Sequence, residues 1–176
     1  MRSLHTASLA SDYPAEITLV LSNKADAAGL DYAAQNGIPT EILNHKDFDS
    51  RESFDTKMQL VLEKHGIELV CLAGFMRILS ADFVAKWPDK ILNIHPSLLP
   101  KYKGLHPQRQ ALEANEDESG CSVHLVTKEL DDGPILAQSR VPIHPDDTEE
   151  SLSARILEAE HLLYPAVLKR YAEMLL

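Results

Sequence analysis

The stretch that decides the fold is Leu92-Asn93-Ile94-His95-Pro96-Ser97-Leu98-Leu99-Pro100, which begins in a short apolar run typical of a buried strand. Side chains two residues apart on a strand point the same way, so we expect Asn93 and His95 to project from one side. Pro96 biases His95 toward extended backbone angles and so fixes the direction of the imidazole. An amide beside a proton-transferring ring at the carboxyl end of a strand suits chemistry at a carbonyl group. A histidine that ends a strand is more often a structural hydrogen-bonding group, so the tripeptide alone does not establish a catalytic site.

Strand-like and helical patterns alternate on both sides of this stretch. Apolar or β-branched runs predict strands over residues 17–22, 40–43, 67–72, 91–94, 122–126 and 135–141. Amphipathic or capped runs predict helices over residues 27–35, 49–65, 81–87, 107–115 and 147–174. Asp49 and Asp147 are spaced from later glutamates like capping-box residues, and Pro165 is expected to kink or split the last helix. The alternation predicts one α/β domain over residues 1–176 with a largely parallel sheet.

Composition narrows the class of protein. The 176 residues carry a formal net charge of −10, which disfavours a nucleic-acid partner because phosphates require a basic surface. No apolar run approaches the roughly 20 residues of a membrane span, and the first residues do not resemble a signal peptide. Only Cys71 and Cys121 are present, so a zinc site or a disulfide framework is not expected. We therefore expect a cytoplasmic protein with no metal and no membrane contact.

A family resemblance begins at the same strand. The segment Asn93–Gly104 resembles the signature of the folate-dependent formyltransferases, and its continuation Leu105–Glu113 is most similar to the purine-pathway branch of that family. The resemblance implies a three-layer, Rossmann-like formyltransferase fold with a mostly parallel central sheet. It also implies transfer of a formyl group from the co-substrate 10-formyltetrahydrofolate to the amine of glycinamide ribonucleotide, without a metal. The implied partners are these small molecules, and the chain would act as a monomer or homodimer.

A second motif supplies an acid. An Asp-Asp-Gly run such as Asp131-Asp132-Gly133 is most often a solvated turn when taken alone. Here it follows His124 by seven residues, which resembles the family's second motif and makes Asp131 the catalytic aspartate, not Asp132. Asp131 would orient His95 and favour its protonated form. Asn93 and protonated His95 would then stabilise the oxyanion that forms as the amine attacks the formyl carbon. His124 is expected to be at most a supporting hydrogen-bonding group.

Further binding residues are implied by the resemblance alone. The pterin ring of the folate would be held by the loop after the third predicted strand. The whole folate site would include Asn93 and Asp131 together with Arg51, Met76, Arg77, Ile78, Leu79, Thr127, Lys128, Glu129 and Leu130. The ribonucleotide would contact Leu157, Glu158, Ala159 and Glu160, of which Glu160 is the best candidate for bonding its ribose or amine.

The amino end departs from the family pattern. Family members begin with a strand and a Gly-x-Gly-Ser-Asn loop whose backbone amides hold the substrate phosphate, whereas Met1–Leu4 resembles the first turn of the following helix. The first strand is thus expected to be missing. Two explanations remain: Met1 is an internal methionine of a longer protein, or the chain is truncated. The first is favoured because the other motifs are intact.

Alternative functions follow from these observations. A chain without the phosphate loop could be a folate-binding pseudoenzyme or a weakly active fragment. Sibling enzymes with the same Asn-x-His and Asp pattern are methionyl-tRNA formyltransferase and formyltetrahydrofolate hydrolase. The acidic charge disfavours the tRNA enzyme, and the hydrolase has a second histidine where this chain has Pro96.

Overall fold

The computed structural model describes residues 1–176, which form six strands and six α-helices in near alternation. The elements are, in chain order, α1 Arg2–Ser8, β1 Val20–Ser22, α2 Ala28–Gln35, β2 Thr40–Ile42, α3 Arg51–Lys64, β3 Val70–Leu72, α4 Ala81–Lys86, β4 Ile91–His95, α5 Pro107–Glu113, β5 Glu118–Leu125, β6 Ile135–Pro142 and α6 Glu149–Leu175. A single 3₁₀ turn lies between β2 and α3. Every predicted strand and helix exists, so the α/β class is confirmed.

The strands form two hydrogen-bonded groups. β1 pairs with β2 in parallel, and the second group has the order β3-β4-β5-β6. Only the β3–β4 ladder of that second group is parallel, because β4 pairs with β5 and β5 with β6 in the antiparallel direction. The sheet is therefore mixed, and the expected mostly parallel order holds only for β1–β4. The short connection between β5 and β6 accounts for their pairing, since a parallel crossover needs about a dozen residues or more.

Successive side chains of β4 pack into different core clusters on the two faces of the sheet, which shows that the domain has three layers. Ile91 packs into one core cluster with Phe54 and Met58 of α3, and Leu92 packs into another with Tyr164 and Leu168 of α6. Because neighbouring side chains on a strand point to opposite faces, the sheet separates the α3–α4 layer from the α1–α6 layer. The three-layer arrangement is confirmed, and it presents the carboxyl end of β4 between two covered faces.

Helix boundaries differ from the sequence prediction at the caps. Ser50 caps α3 by accepting from the Ser53 amide at 3.0 Å, and Thr148 caps α6 by accepting from the Ser151 amide at 3.2 Å. The prediction of Asp49 and Asp147 as caps was wrong by one residue. Asp147 instead binds the Arg155 guanidinium with both carboxylate oxygens at 2.7 and 2.9 Å, so it is already occupied. α6 continues through Pro165 and is not split by it.

The helices do not meet the length and apolarity that a membrane span requires. None of them combines enough residues with enough hydrophobic side chains to cross the hydrocarbon core of a membrane.

The α3–sheet contact can be tested with two leucines of the same helix. Leu62 is 6% exposed in the core, whereas Leu60 is 55% exposed. We expect Leu62→Ala to lower the free energy of unfolding by about 2–5 kcal/mol, because it leaves a cavity against the sheet. Leu60→Ala should change it by less than about 0.5 kcal/mol. Urea unfolding of both variants measures the difference, and equal losses would contradict the packing of α3 described here.

Candidate functional site

The site is built at the carboxyl end of β4, where Asn93 and His95 leave the strand. The ladders place Asn93 beside Leu72 of β3 on one side and opposite His124 of β5 on the other. The hydroxyl of Tyr164 from α6 lies 3.0 Å from the carbonyl oxygens of both Leu72 and Leu92, and it ties β3 and β4 together just below Asn93. Asn93 and His95 therefore start from a strand that is fixed by neighbours on both sides and by a helix beneath.

His95 is held on both edges of its ring. Its Nε2 donates to the carbonyl oxygen of Tyr102 at 2.9 Å, and its Nδ1 lies 3.4 Å from Oδ2 of Asp131. The side chain is only 7% exposed, so water does not substitute for these contacts. Both ring nitrogens face hydrogen-bond acceptors, and both are satisfied together only when each carries a proton. The Tyr102 carbonyl and Asp131 therefore fix the ring from both edges.

Asp131 faces inward while its neighbour faces outward. The Asp131 side chain is 9% exposed and accepts a hydrogen bond from the Gly104 amide at 3.0 Å. Burial by itself raises the pKa of Asp131, but the polar contact with His124, the hydrogen bond from the Gly104 amide and the nearby charge of His95 outweigh burial and hold the pKa below its ordinary value. Asp132 is 55% exposed and pairs with Lys103 at the surface. The structure thus brings Asp131, and not Asp132, to His95.

His124 lies inside the site in the supporting position expected of it, in contact with both Asn93 and Asp131. Its Nε2 lies 3.2 Å from Nδ2 of Asn93 and 3.6 Å from Oδ1 of Asp131, and its Nδ1 donates to the Leu125 carbonyl at 2.8 Å. It therefore joins Asn93 to Asp131 inside the protein, where it is 2% exposed. The signal that could have found it is the cross-strand pair with Asn93, which becomes visible only if β5 is taken as the antiparallel neighbour of β4.

The loop that carries Asp131 is pressed against β5. Asp131 itself has a left-handed backbone with φ of +47°, which is uncommon for a residue with a Cβ atom. Two residues later, a Cβ atom on Gly133 would lie 1.8 Å from the Leu125 carbonyl oxygen, so only glycine fits. A hydrogen bond from the Leu125 amide to the Pro134 carbonyl, at 2.9 Å, holds the loop in this close contact with β5. Asp131 is consequently positioned by backbone contacts and not by its own side chain alone.

The residues that the resemblance assigns to folate lie in two loops and at one helix start. Met76 and Ile78 are exposed in the loop after β3, Arg77 packs over the Phe54 ring at 5.3 Å, and Leu79 is buried in the core below. The second loop follows β5 and leads directly to Asp131; it comprises Thr127, Lys128, Glu129 and Leu130. Arg51 is the first residue of α3 and is exposed. The first loop starts next to Asn93 in the ladder, so both loops border the site.

The residues assigned to the ribonucleotide lie on one turn of α6. Leu157 and Glu158 are exposed, and Ala159 and Glu160 are half-buried. Ala159 packs against the cluster that contains Cys121 of β5, which fixes this turn on the sheet. Burial raises the pKa of Glu160 to about 7. A carboxyl group with that pKa exists in both protonation states near neutral pH and can donate or accept a hydrogen bond. No group of three or more histidine, cysteine or acidic side chains is arranged to hold a metal ion.

Comparison with known proteins gives a consistent match. The family model described as formyl transferase covers residues 1–168. The chain is 54% identical over 154 residues to the trifunctional purine biosynthetic protein adenosine-3 of Drosophila melanogaster, which covers 88% of this chain and 11% of that protein. It is 49% identical over 157 residues to the phosphoribosylglycinamide formyltransferase of Escherichia coli, covering 89% of this chain and 74% of the relative.

Solved structures agree with the sequence matches. The crystal structure of phosphoribosylglycinamide formyltransferase from Brucella melitensis superposes with a TM-score of 0.93 at 48% identity, covering 98% of this chain and 88% of that one. By contrast, the chain spans only about a tenth of the length of the trifunctional Drosophila relatives that it matches. The match therefore concerns one unit of those longer proteins.

The buried carboxyl of Glu160 predicts a pH-dependent stability. Its pKa is about 7 in the folded chain against an ordinary 4.5, so proton binding favours the folded state below pH 4.5 and this contribution is lost as the pH rises through 7. Glutamine has no proton to lose, so Glu160→Gln should not show this loss of stability. Relative to the wild type, we expect its free energy of unfolding to be higher at pH 7.5 than at pH 4.5 by about 1–3 kcal/mol. Urea unfolding at both pH values measures this gain. A difference between the two proteins that does not change with pH would contradict the assigned burial.

Proposed function

The chain belongs to the formyl transferase family, and from that premise we propose that it transfers a formyl group from 10-formyltetrahydrofolate to the amine of glycinamide ribonucleotide in purine biosynthesis. One observation carries the proposal. His95 is buried with its two ring nitrogens fixed by the Tyr102 carbonyl and by Asp131, and Asn93 joins the same network through His124. An amide, an imidazolium and a carboxylate at one strand end are the groups that acyl transfer to an amine requires.

We assign different tasks to the two nitrogens of His95 because their surroundings differ. Nε2 is committed to the Tyr102 carbonyl and anchors the ring, so Nδ1 is the nitrogen that exchanges protons. Nδ1 is 3.4 Å from Asp131, which is longer than a tight hydrogen bond and allows the proton to be redirected to a substrate atom. Asp131 then keeps the ring oriented and compensates its positive charge. Its lowered pKa keeps the carboxylate ionised in this role.

The reaction can be written on these residues. The neutral amine attacks the formyl carbon and forms a new carbon–nitrogen bond, while the formyl oxygen becomes an oxyanion that Asn93 Nδ2 and His95 Nδ1 stabilise. The bond from the formyl carbon to the folate nitrogen then breaks. The amine loses one proton and the departing folate nitrogen gains one, with His95 carrying the transfer while Asp131 stays ionised and holds the ring. No net charge is created and no metal is involved in any step.

Rate magnitudes show what else is needed. An oriented oxyanion donor contributes about 10²–10³ in rate, and a placed acid–base group contributes about 10²–10⁴. Holding two substrates in register must supply much of the remaining acceleration. We therefore propose that the exposed Met76 and Ile78, with Arg77 and the backbone of Leu79, hold the pterin ring beside Asn93. Arg51 and the loop Thr127–Leu130 would complete the folate site.

The ribonucleotide would approach from α6. We propose that Glu160 bonds its ribose or amine and that Leu157, Glu158 and Ala159 form the adjoining surface. All of these residues come from one chain, so either a monomer or a homodimer suffices for the reaction, in a cytoplasmic setting. The acidic surface, with a net charge of −10, favours small-molecule substrates over a nucleic acid.

The direct test is a transfer assay with the purified chain. Deformylation of 10-formyltetrahydrofolate is followed by absorbance in the presence and absence of glycinamide ribonucleotide. Turnover that depends on the ribonucleotide and yields its formylated product supports the proposal. Loss of the formyl group to water at the same rate without ribonucleotide would indicate hydrolysis, and folate binding without any turnover would indicate a pseudoenzyme.

Asp131 and Asp132 provide a matched pair for the mechanism. Asp131→Asn removes the charge that faces His95, so we expect kcat to fall by about 10²-fold or more, with the fold retained. Asp132→Asn removes only a surface ion pair, and kcat should stay within about threefold because exposed pairs contribute little. Steady-state kinetics on both variants, with thermal unfolding as the check on folding, makes the comparison. Equal activity in the two variants would remove Asp131 from the mechanism.

A further inference from the structure

The loop between β4 and α5 touches both His95 and Asp131. In the segment Tyr102–Gly104, which we call the clamp segment, the Tyr102 carbonyl accepts the Nε2 proton of His95 at 2.9 Å. The Gly104 amide of the same segment donates to Oδ2 of Asp131 at 3.0 Å. Two backbone groups only two residues apart therefore set the positions of the imidazole and of the carboxylate. A displacement of this segment would move both.

The clamp segment is not in a relaxed backbone conformation. Tyr102 has a φ of +55°, in the left-handed region that residues with a Cβ atom avoid. Such a conformation persists only where the surroundings enforce it. The carbonyl that meets His95 belongs to this residue, so whatever enforces the backbone of Tyr102 also determines the direction of that carbonyl.

Glu116 supplies the enforcing contact from outside the site. It lies between α5 and β5, and its Oε1 accepts from the Tyr102 hydroxyl at 2.7 Å. The Lys101 ammonium donates to both oxygens of the same carboxylate at 2.7 and 2.8 Å. The bonds from Lys101 and Tyr102 lower the pKa of Glu116, so the carboxylate stays ionised and accepts all of them.

The base of the loop is fixed by a different set of bonds. The Ser97 hydroxyl donates to the Lys101 carbonyl at 2.6 Å, and the Ser122 hydroxyl donates to the Ser97 carbonyl at 2.6 Å. The Leu99 amide in turn donates to the Ser122 hydroxyl at 3.0 Å. These bonds anchor residues 97–101 to β5 but do not reach Tyr102. On the carboxyl side of the Tyr102 peptide, Lys103 pairs with Asp132 and the Gly104 amide bonds Asp131. On its amino side, the contact nearest to this peptide is the one that the Tyr102 side chain itself makes with Glu116.

We propose that Glu116 is a positioning residue for His95, acting through the Tyr102 hydroxyl to aim the Tyr102 carbonyl at Nε2 of the imidazole. The side-chain partners of Glu116 are Lys101 and Tyr102 and not Asn93, His95 or Asp131, so we expect it to affect the rate of the chemical step and not the binding of substrates. The expected change in kcat rests on the proposed formyl transfer. The expected change in solvent exchange of the His95 Nε2 proton rests only on its hydrogen bond to the Tyr102 carbonyl and is independent of any activity.

The kinetic experiment uses three variants at the cluster. Tyr102→Phe and Glu116→Ala both remove the bond, and each should lower kcat about tenfold to a hundredfold with both KM values within about twofold, because misaligned groups cost rate and not affinity. Glu116→Gln keeps an oxygen acceptor for the hydroxyl and should recover kcat to within about threefold of the wild type. The double variant Tyr102→Phe with Glu116→Ala should lose no more than either single variant, because both remove the same contact.

The matched control is Tyr171→Phe. It also deletes a tyrosine hydroxyl that donates at 2.7 Å, in this case to the Asp89 carbonyl, which lies just before the amino end of β4 and so at the opposite end of that strand from His95. Its kcat should equal that of the wild type. Thermal unfolding of all variants checks that the fold is retained. Full kcat in Tyr102→Phe and Glu116→Ala, or an equal loss in Tyr171→Phe, would overturn the proposal.

A spectroscopic readout separates this proposal from the proposed function. In protein labelled with ¹⁵N-histidine, the Nε2 proton of His95 should exchange slowly with solvent in the wild type and in Tyr171→Phe, and rapidly in Tyr102→Phe. If the wild type transfers no formyl group while this pattern holds, the proposed function fails and the positioning role stands. If exchange at His95 is the same in all three proteins, the positioning role fails whatever the activity of the chain.

Discussion

The placement of the His95 ring between a backbone carbonyl and a carboxylate is the constraint on which the site depends. A buried imidazole needs a partner at each nitrogen, and here Tyr102 and Asp131 provide them. Neither partner belongs to β4, the strand that carries His95. The β4–α5 loop and the β5–β6 connection must both fold back over the end of β4 to supply them. Several backbone features of the fold, among them the left-handed conformations of Tyr102 and Asp131, serve that convergence.

The antiparallel part of the sheet has a direct consequence for the site. Because β5 runs against β4, His124 lies opposite Asn93, and the connection that follows β5 returns toward the carboxyl end of β4 with Asp131 on it. A parallel β5 would have ended at the same edge as β4 but would have placed other residues opposite Asn93. The close approach of Gly133 to the Leu125 carbonyl then fixes the distance between β5 and the loop that carries Asp131. The mixed sheet is thus the means by which two separate motifs of the sequence meet.

Much of this architecture could be predicted from the sequence, and the exceptions have physical causes. The short apolar run around Leu92 correctly predicted a strand that delivers Asn93 and His95. The choice of Asp131 over Asp132 needed the family resemblance, because two adjacent acids before a glycine look alike in a local pattern. The Ser50 and Thr148 caps were missed since several polar residues stand side by side at each helix start and only the backbone angles decide among them. The roles of the Tyr102 carbonyl and the Gly104 amide could not be found at all, because every residue carries these groups and they leave no trace in a sequence.

In the proposed reaction, Asn93 and His95 act on one carbonyl oxygen, and Asp131 supports the ring. The most direct test is a crystal structure of the chain with glycinamide ribonucleotide and a non-transferring analogue of 10-formyltetrahydrofolate. The account predicts the formyl oxygen of the analogue within about 3 Å of Asn93 Nδ2 and His95 Nδ1, with Nε2 still bonded to the Tyr102 carbonyl. An analogue bound with its formyl group away from both side chains, or an imidazole turned away from Asp131 in the complex, would contradict it.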